Sequence, residues 1–323
     1  MNTHEILRSF RGLRVLVAGD VCLDRWCRYD PAQGLASRET GLPRVGVVST
    51  EVTAGAAGTI ANNLAALGAG RAAVLGVVGE DGFGWELDRA LRARGIDADL
   101  LIRSAEVPTF TYTKLINDST DEEDLPRIDF IHTREISREL ESRVVDSFLR
   151  VAGDFDVVII SDQAETAAGG VVTQRMREAL TEVAPKKIVW VDSRIRAEHF
   201  RGVILKPNSD EAEGASVRAL GRVDYAALRE HTSARSLIVT FGGEGALVID
   251  ERGQTMVPGR AVEKPVDICG AGDSFSAGAA MTLAVTGSAV EAARFGNLVA
   301  SITIMKKGTG TASPEEVMAA SQE

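Results

Sequence analysis

The sequence Asp267-Ile-Cys-Gly-Ala-Gly-Asp-Ser-Phe-Ser-Ala-Gly278 (DICGAGDSFSAG) combines two glycines, a carboxylate and a run of small residues at the predicted start of a helix. Unpaired amides at a helix N-terminus bind anions, and glycines let a phosphate group approach the backbone closely. Asp273 would also serve as an ordinary helix N-cap. A cap alone does not explain the paired glycines or the small residues from Ser276 to Ala280. The stretch therefore predicts an anion site with a carboxylate at its edge.

Around this stretch, short apolar runs alternate with helical patterns along most of the chain. Strands that are apolar on both faces and alternate with helices indicate a mostly parallel sheet that is covered on both faces. We therefore predict a doubly wound α/β fold, in which ligands bind beyond the carboxyl ends of the strands. The predicted strands lie at 14–18, 73–78, 156–160, 188–191, 203–205, 237–240 and 246–249, and the predicted helices at 59–67, 84–94, 137–151, 172–183, 225–231, 274–283 and 290–305.

Two stretches interrupt this alternation, at about 22–53 and 97–133. They contain strand-like pieces without intervening helices, and loops of this length are uncommon. We interpret them as a small β-lid attached to a single domain that spans residues 1–323. Because such a lid would expose a sheet edge, the sequence also predicts a homodimer that forms through the lid.

Composition restricts the partners and the location. The protein has 46 acidic and 36 basic residues, so its net charge is -10. A surface this acidic argues against nucleic acids and anionic membranes as partners. Cys22, Cys27 and Cys269 form neither a zinc spacing nor a disulfide framework. No signal-peptide pattern and no membrane-spanning length of apolar residues is found, which predicts a cytoplasmic protein.

Two common nucleotide-binding motifs are missing from the sequence. No G-x-x-x-x-G-K-[ST] occurs, which argues against a P-loop protein. The first predicted strand runs into Asp20 and Asp24 (VLVAGDVCLD) rather than into G-x-G-x-x-G. That difference disfavours a nicotinamide-dependent oxidoreductase, which is otherwise a common use of a doubly wound sheet.

Five motifs in order resemble the ribokinase/PfkB family of carbohydrate kinases over nearly the whole chain. The family's D-[TV]-[TV]-G-A-G-D-[ST]-F signature is matched at 267–275. The other motifs are GAAGTIANNLAALG at 55–68, GEDGFG at 79–84, KPNSDE at 206–211 and VTFGGEG at 239–245. Within the family, the sequence is most similar to the heptose 7-phosphate kinases that form the kinase domain of ADP-heptose synthases. This closer likeness lies in GDVCLDRW at 19–26, SRE at 37–39 and RIDF at 127–130.

The resemblance implies a ribokinase-like fold and ATP-dependent phosphorylation of a hydroxyl on a sugar or sugar phosphate, with a heptose 7-phosphate-like compound as one candidate. Asp273 would accept the proton of the sugar hydroxyl. The amides of Gly270, Ala271 and Gly272 would face the transferred phosphoryl group, where charge accumulates in the transition state.

On the nucleotide side, the resemblance implies that Thr240, Gly242, Gly245, Asn208 and Asn297 contact ATP. Mg²⁺ retains much of its hydration in proteins, so Asn208 and Glu211 would hold it largely through water. Read without the resemblance, the same pair would simply cap a helix. The family's monovalent-cation loop, which binds K⁺, corresponds to Asp267, the carbonyl of Cys269, and Gly308. Here Cys269 replaces the usual threonine.

On the sugar side, the resemblance assigns hydroxyl recognition to residues that follow the first strand and to the glycine-rich motif. These residues are Asp20, Asp24, Gly55, Ala56, Thr59 and Asp162. Ala56 and Thr59 depart from the family, which has glycine and asparagine there, so we expect altered recognition of sugar hydroxyls. Arg38 and Arg127 would meet a second phosphate, although lone arginines are commonly surface ion-pair partners.

The sequence leaves a second reading open. A protein with this fold could bind a sugar or a nucleotide without turnover. The intact Asp273 and the glycines before it favour a catalyst, whereas the altered Ala56 and Thr59 are compatible with either role.

Overall fold

The computed structural model describes residues Met1–Gln322, whose strands form two sheets. In chain order the strands are β1 (Arg14–Gly19), β2 (Val21–Tyr29), β3 (Val47–Ala56), β4 (Arg71–Gly79), β5 (Leu101–Ser104), β6 (Phe110–Asn117), β7 (Ile128–Phe130), β8 (Val157–Asp162), β9 (Ile188–Ser193), β10 (Ile204–Leu205), β11 (Ser236–Thr240), β12 (Gly245–Asp250) and β13 (Gly253–Pro258). The larger sheet has the order β13-β12-β11-β10-β9-β8-β1-β4-β5. It is parallel from β5 to β11, and β12 and β13 continue it in antiparallel fashion.

Helices cover both faces of the larger sheet. They are α1 (Thr3–Phe10), α2 (Ala57–Ala66), α3 (Gly82–Ala93), α4 (Arg138–Val151), α5 (Gln174–Val183), α6 (Ser209–Leu220), α7 (Tyr225–Thr232), α8 (Ala271–Thr286), α9 (Ala289–Thr303) and α10 (Pro314–Ala320). The buried side chains of α4 to α7 belong to one apolar cluster, and those of the other helices belong to a second cluster. Within residues 1–322, no helix is long and apolar enough to cross a lipid bilayer.

The central strand β1 shows why both faces are covered. Val15 and Val17 pack into the cluster that contains α8, while Leu16 and Ala18 pack into the cluster that contains α5. Side chains alternate between the two faces of a strand, so an all-apolar strand needs a hydrophobic layer on each side. The predicted doubly wound α/β fold is confirmed.

The second sheet is the predicted β-lid, with the order β3-β2-β6-β7. Strand β2 follows directly from β1 and pairs with β3 in antiparallel and with β6 in parallel orientation. One part of the lid prediction is wrong. The stretch after residue 97 contributes β5 to the larger sheet, where Leu101 pairs with Gly76 of β4, so the second lid segment begins at Phe110. The sequence patterns did not predict α1, α10 or β13, and of α6 they indicated only the cap at its start.

The backbone is strained at Ala56, where the lid strand β3 meets helix α2. Ala56 has φ 52° and ψ -118°, a conformation that favours glycine because a Cβ atom crowds the neighbouring peptide groups. The sequence analysis identified this position as a departure from the family's glycine. Residues held in such regions cost about 1–3 kcal/mol each.

We expect Ala56→Gly to increase the free energy of unfolding by about 1 kcal/mol, because relief of the strain exceeds the entropy that a glycine loses on folding. Urea denaturation of the two proteins measures the change. Ala65→Gly, in the last turn of the same helix α2, is the matched control and should lower stability by up to about 1 kcal/mol. Equal losses in both variants would show that Ala56 is not strained.

Candidate active site

Two adjoining cavities lie at the carboxyl edge of the larger sheet. The larger has a volume of about 560 Å³, and the smaller, of about 190 Å³, lies under the lid. Four residues line both cavities: Gln163, Arg194, Gly270 and Asp273. The boundary between the two cavities therefore coincides with the start of α8.

Helix α8 begins at this boundary, where Gly270, Ala271 and Gly272 line the larger cavity. Gly270 precedes it in the left-handed conformation (φ 76°), which glycine adopts without steric cost. The amide of Ala271 donates to the carbonyl of Ile268 (3.2 Å), so this amide, one of the three predicted to face a phosphoryl group, is already engaged. A Cβ atom built on Gly272 would lie 3.2 Å from Lys206 Nζ, so an ammonium group lies beside the first turn.

The carboxyl group of Asp273 is half-buried in this first turn. Burial and the nearby charge of Asp192 raise its pKa to about 8, although Lys206 and Arg194 oppose the shift. A carboxylate with a pKa near neutrality is a stronger base than an exposed aspartate and is better matched to proton transfer from a hydroxyl group.

Lys206 and Asp192 form a buried ion pair at the floor of the larger cavity. Their side chains are 4 % and 7 % exposed, and Lys206 Nζ lies 2.7 Å from Asp192 Oδ2. Ser276, on α8, also donates to Asp192 Oδ2 (3.2 Å). Burial disfavours the charged lysine, but Asp192, Glu211 and Asp273 outweigh it and raise the pKa of Lys206. Lys206 is therefore a permanent cation in the cavity.

Asn208 and Glu211, the predicted magnesium residues, form a capping box at the start of α6. Glu211 N–H donates to Asn208 Oδ1 (2.9 Å), and Asn208 N–H donates to Glu211 Oε2 (2.8 Å). Both residues also line the larger cavity, so the cap and a ligand-facing role coexist. Burial and the charge of Asp192 raise the pKa of Glu211.

The remaining predicted nucleotide residues line the larger cavity as well. Thr240, Gly242 and Gly245 form the turn between β11 and β12, and Asn297 projects from α9. Asn297 Nδ2 donates to the carbonyl of Pro258 (3.1 Å). A Cβ atom on Gly245, whose φ is 111°, would lie 2.1 Å from a backbone oxygen, so the turn requires glycine there.

The predicted monovalent-cation residues connect two loops next to α8. Asp267 accepts hydrogen bonds from the amides of Cys269 (2.9 Å) and Gly308 (3.1 Å). Cys269 also lines the smaller cavity. Within residues 1–322, no group of three or more His, Cys, Asp or Glu side chains is placed to hold a metal ion.

The smaller cavity contains Asp24 and Thr59 from the predicted sugar residues, together with Ala56. Burial raises the pKa of Asp24 to about 6, while the Cys22 thiol, which donates to it over 3.7 Å, counteracts this shift. Thr59 donates its hydroxyl to the carbonyl of Ala54 (3.4 Å). A Cβ atom on Gly55 would lie 2.5 Å from Asp24 Oδ2, so this glycine makes room for the Asp24 carboxylate.

Basic side chains surround Asp24 in the smaller cavity. Lys114, on lid strand β6, and Arg127, before β7, line it together with Arg194. The Arg127 guanidinium makes two hydrogen bonds to Asp129 (2.7 and 2.6 Å) and lies 4.9 Å from the centre of the Tyr112 ring. The predicted arginine is thus held in place at the cavity wall.

Four predicted substrate residues do not line either cavity: Gly55, which packs behind Asp24, and Asp20, Asp162 and Arg38. Asp20 is 2 % exposed and accepts the backbone amides of Gln163 (2.9 Å) and Val171 (2.8 Å). Asp162 is 1 % exposed and pairs with the buried Arg196. Arg38 lies exposed in the loop between β2 and β3. We correct the assignment of Asp20 and Asp162 accordingly, because their oxygens are occupied inside the protein.

Several cavity residues were missed by the sequence analysis. Lys206 was quoted in a motif without a role, and its signal is a lysine directly after a buried strand. Asp192 and Arg194 give a similar signal, because they are charged residues at the carboxyl end of the buried strand β9. The cavity residues to which the sequence motifs gave no role include Gln163, Asp192, Arg194, Lys206, Tyr112 and Lys114.

Comparison with known proteins agrees with this geometry. A family model described as "pfkB family carbohydrate kinase" matches residues 46–316, which is most of the chain. The chain belongs to the pfkB family of carbohydrate kinases. The family expected from the sequence motifs is confirmed, and the protein is an ATP-dependent sugar kinase.

Individual relatives refine the comparison. This kinase is 31% identical over 321 residues to the "Bifunctional protein HldE" of Pelobacter propionicus, covering 97% of the chain and 64% of that relative. The chain thus spans less than two thirds of the length of this curated relative. Among solved structures, it is similar to phosphofructokinase-2 from Escherichia coli in complex with fructose-6-phosphate (TM-score 0.71, 17% identity, 96% and 98% of the two chains). It is also similar to Arabidopsis thaliana ribokinase complexed with ribose and ATP (TM-score 0.68, 17% identity, 96% and 99%).

The raised pKa of Asp273 predicts a pH-dependent effect of Asp273→Asn on stability. A carboxyl whose pKa is about 8 contributes stability at low pH and loses it as the pH rises toward 8. Each unit of elevation corresponds to about 1.4 kcal/mol. We expect the Asn variant to unfold at a higher temperature than the wild type at pH 8, and the difference to disappear toward pH 4.

Thermal unfolding between pH 4 and pH 9 measures this difference without any substrate. The control is Asp210→Asn, which removes an exposed carboxylate from the first turn of α6. If the difference in unfolding temperature between Asp273→Asn and the wild type does not change with pH, as is expected for Asp210→Asn, the Asp273 carboxyl is an ordinary, ionised aspartate.

Proposed function

We propose that this kinase transfers the γ-phosphoryl group of ATP to a hydroxyl group of a sugar phosphate. The observation that carries the proposal is the position of Asp273, which lines the boundary of both cavities. ATP would occupy the larger cavity and the sugar phosphate the smaller one. The two reacting groups would then meet at the first turn of α8.

In this mechanism Asp273 accepts the proton of the acceptor hydroxyl as the new oxygen–phosphorus bond forms. The bond between the γ-phosphorus and the β–γ bridging oxygen breaks, and ADP leaves with the electron pair. Negative charge on the transferred group is offset by the Lys206 ammonium and by the amides at the start of α8. A pKa near 8 suits Asp273 to hold the proton during the transfer.

The carboxylates of the larger cavity fit a divalent cation. Asp192 raises the pKa of both Glu211 and Asp273, which means that these three groups repel each other when ionised. A cation would relieve that repulsion. We propose that Glu211 and Asn208 hold Mg²⁺ through water, where it would neutralise charge on the nucleotide phosphates.

The cation loop and the lid support two secondary proposals that come from the sequence analysis. Asp267 joins the loops at Cys269 and Gly308, the arrangement in which a K⁺ ion would fit next to α8. Lid strand β3 is an edge strand that exposes Val47 and Val48, which supports a homodimer through the lid.

The basic residues of the smaller cavity favour a phosphorylated acceptor. Four basic residues line this cavity, namely Arg25, Lys114, Arg127 and Arg194, whereas its acidic residues are Asp24 and Asp273. Arg and Lys bind phosphate through charge-assisted hydrogen bonds. A heptose 7-phosphate-like compound is the candidate that the HldE relatives suggest, and the altered Ala56 and Thr59 make a panel of sugar phosphates the appropriate test.

We expect wild-type protein to phosphorylate at least one sugar phosphate in such a panel far better than the corresponding free sugar. Arg127→Gln should raise the KM for that sugar phosphate by roughly 10- to 100-fold, because hydrogen bonds to charged groups contribute about 1.5–3 kcal/mol. The matched control is Arg38→Gln, an exposed lid arginine that does not line either cavity. If Arg127→Gln and Arg38→Gln have equal KM values for the sugar phosphate, Arg127 does not recognise the phosphate. If the wild type phosphorylates no compound in the panel, a protein that binds its ligand without turnover is favoured.

Glu211→Gln tests the metal proposal. Loss of one negative charge should increase the Mg²⁺ concentration needed for half-maximal rate, while sugar binding measured without nucleotide stays unchanged. Asp210→Asn removes a neighbouring exposed carboxylate and serves as the control. An unchanged magnesium titration in Glu211→Gln would leave Glu211 with its capping role alone.

A further inference from the structure

The segment 163–171, which follows β8, carries a polar side chain to the junction of the two cavities. Gln163 lines both of them, whereas the next residue, Ala164, is 1 % exposed and anchors the segment in the interior. Gln163 therefore lines the same junction as Asp273, Gly270 and Arg194. Its side chain has two donors and one acceptor with two lone pairs.

The buried Asp20 carboxylate holds both ends of this segment. One oxygen accepts the amide of Gln163 (2.9 Å) and the other accepts the amide of Val171 (2.8 Å). The Asp20 carbonyl also accepts the amide of Ala57 (3.1 Å), at the start of α2. A Cβ atom on Gly170 would lie 2.8 Å from both carboxylate oxygens, so the segment packs tightly on them.

Arg196 holds the same segment from inside. It pairs with the buried Asp162 and donates to the carbonyls of Ala167 (3.2 Å) and Gly169 (3.1 Å). Burial of an unpaired carboxylate or guanidinium group destabilises the folded protein, so these groups must keep their partners. Because Asp20, Asp162 and Arg196 all bond to this segment or to each other beside it, its backbone is held firmly in place.

The segment also contacts the chain that leaves the lid. Thr166 donates its hydroxyl to the carbonyl of Thr133 (3.1 Å), and a Cβ atom on Gly169 would lie 2.4 Å from the carbonyl oxygen of His132. Residues 132 and 133 follow lid strand β7. The position of Gln163 is thus linked to both the interior of the larger sheet and the exit of the lid.

We propose that Gln163 is a specificity-determining residue that hydrogen-bonds a hydroxyl of the acceptor next to the one that is phosphorylated, and that Asp20 is the positioning residue that holds it there. The inference rests on the proposed function, since it takes the smaller cavity as the acceptor site. The neutral side-chain amide of Gln163 suits an uncharged hydroxyl of the acceptor. The phosphate of the acceptor would instead bind near the cationic Lys114 and Arg127.

The test compares Gln163→Ala, Asp20→Asn and the double variant with the sugar phosphate that the wild type turns over best. Asn at position 20 keeps the shape but replaces one acceptor oxygen with a donor, so one of the two amides loses its partner. We expect each single variant to raise the KM for the sugar phosphate by roughly tenfold or more, with the KM for ATP unchanged. The double variant should be no worse than the more severe single variant, because Asp20 acts through Gln163.

Asp81→Asn is the matched control. Asp81 also accepts two backbone amides, those of Gly84 (2.8 Å) and Thr109 (2.9 Å), but does not line either cavity. It should lose stability without a change in the KM for the sugar phosphate. If Asp81→Asn raises this KM as much as Asp20→Asn does, or if the two site substitutions are additive, Asp20 does not position Gln163.

Amide hydrogen exchange provides a readout that needs no sugar. Peptides that cover 161–172 should exchange at least roughly tenfold faster in Asp20→Asn than in the wild type, and at the wild-type rate in Asp81→Asn. Unchanged exchange in Asp20→Asn overturns the positioning role. If the wild type turns over no sugar phosphate, the proposed function and the role of Gln163 both fall, while the exchange experiment still decides whether Asp20 holds the segment.

Discussion

The ion pair between Lys206 and Asp192 is the interaction on which the rest of the cleft depends. Both charges are buried, and a buried charge that loses its partner costs several kcal/mol. The pair also joins three elements. Asp192 is the penultimate residue of β9, and Lys206 follows the two-residue strand β10 and donates its backbone N–H to the carbonyl of Val191 (2.9 Å). Ser276 of α8 donates a hydrogen bond to the same Asp192 carboxylate.

This pair determines the electrostatics of the catalytic position. Asp273 lies in a first helical turn, where the helix dipole favours a negative charge, but its burial near Asp192 and Asp24 disfavours ionisation. Lys206 and Arg194 limit the upward shift of its pKa, so the carboxyl titrates near neutrality instead of remaining protonated throughout. The same surplus of carboxylates supports both the proposed base role of Asp273 and the proposed magnesium site.

Sequence reasoning reached the parts of the site that lie within one continuous motif. The start of α8, the turn at Thr240–Gly245 and the cap at Asn208 were found because local backbone chemistry requires glycines and capping residues there. Lys206, Arg194 and Gln163 were not assigned, since they come from different strand ends and meet only when the parallel sheet forms. Asp20 was misassigned for a related reason. It and Asp24 follow the same strand, but the chain continues from Asp20 straight into β2, and two backbone amides of a distant segment occupy the Asp20 carboxylate.

The division between the two sheets separates the chemistry from the selection of the acceptor. Asp273, Lys206 and Asp192, the groups proposed to act in phosphoryl transfer, line the larger cavity at the carboxyl edge of the larger sheet. Tyr112 and Lys114, by contrast, lie on lid strand β6, opposite Asp24 and Trp26 of β2. The register of this one strand pair thus decides which side chains surround Asp24. A change in lid sequence can therefore alter the acceptor without touching the base, and the strained Ala56 lies where the lid joins helix α2, which carries Thr59.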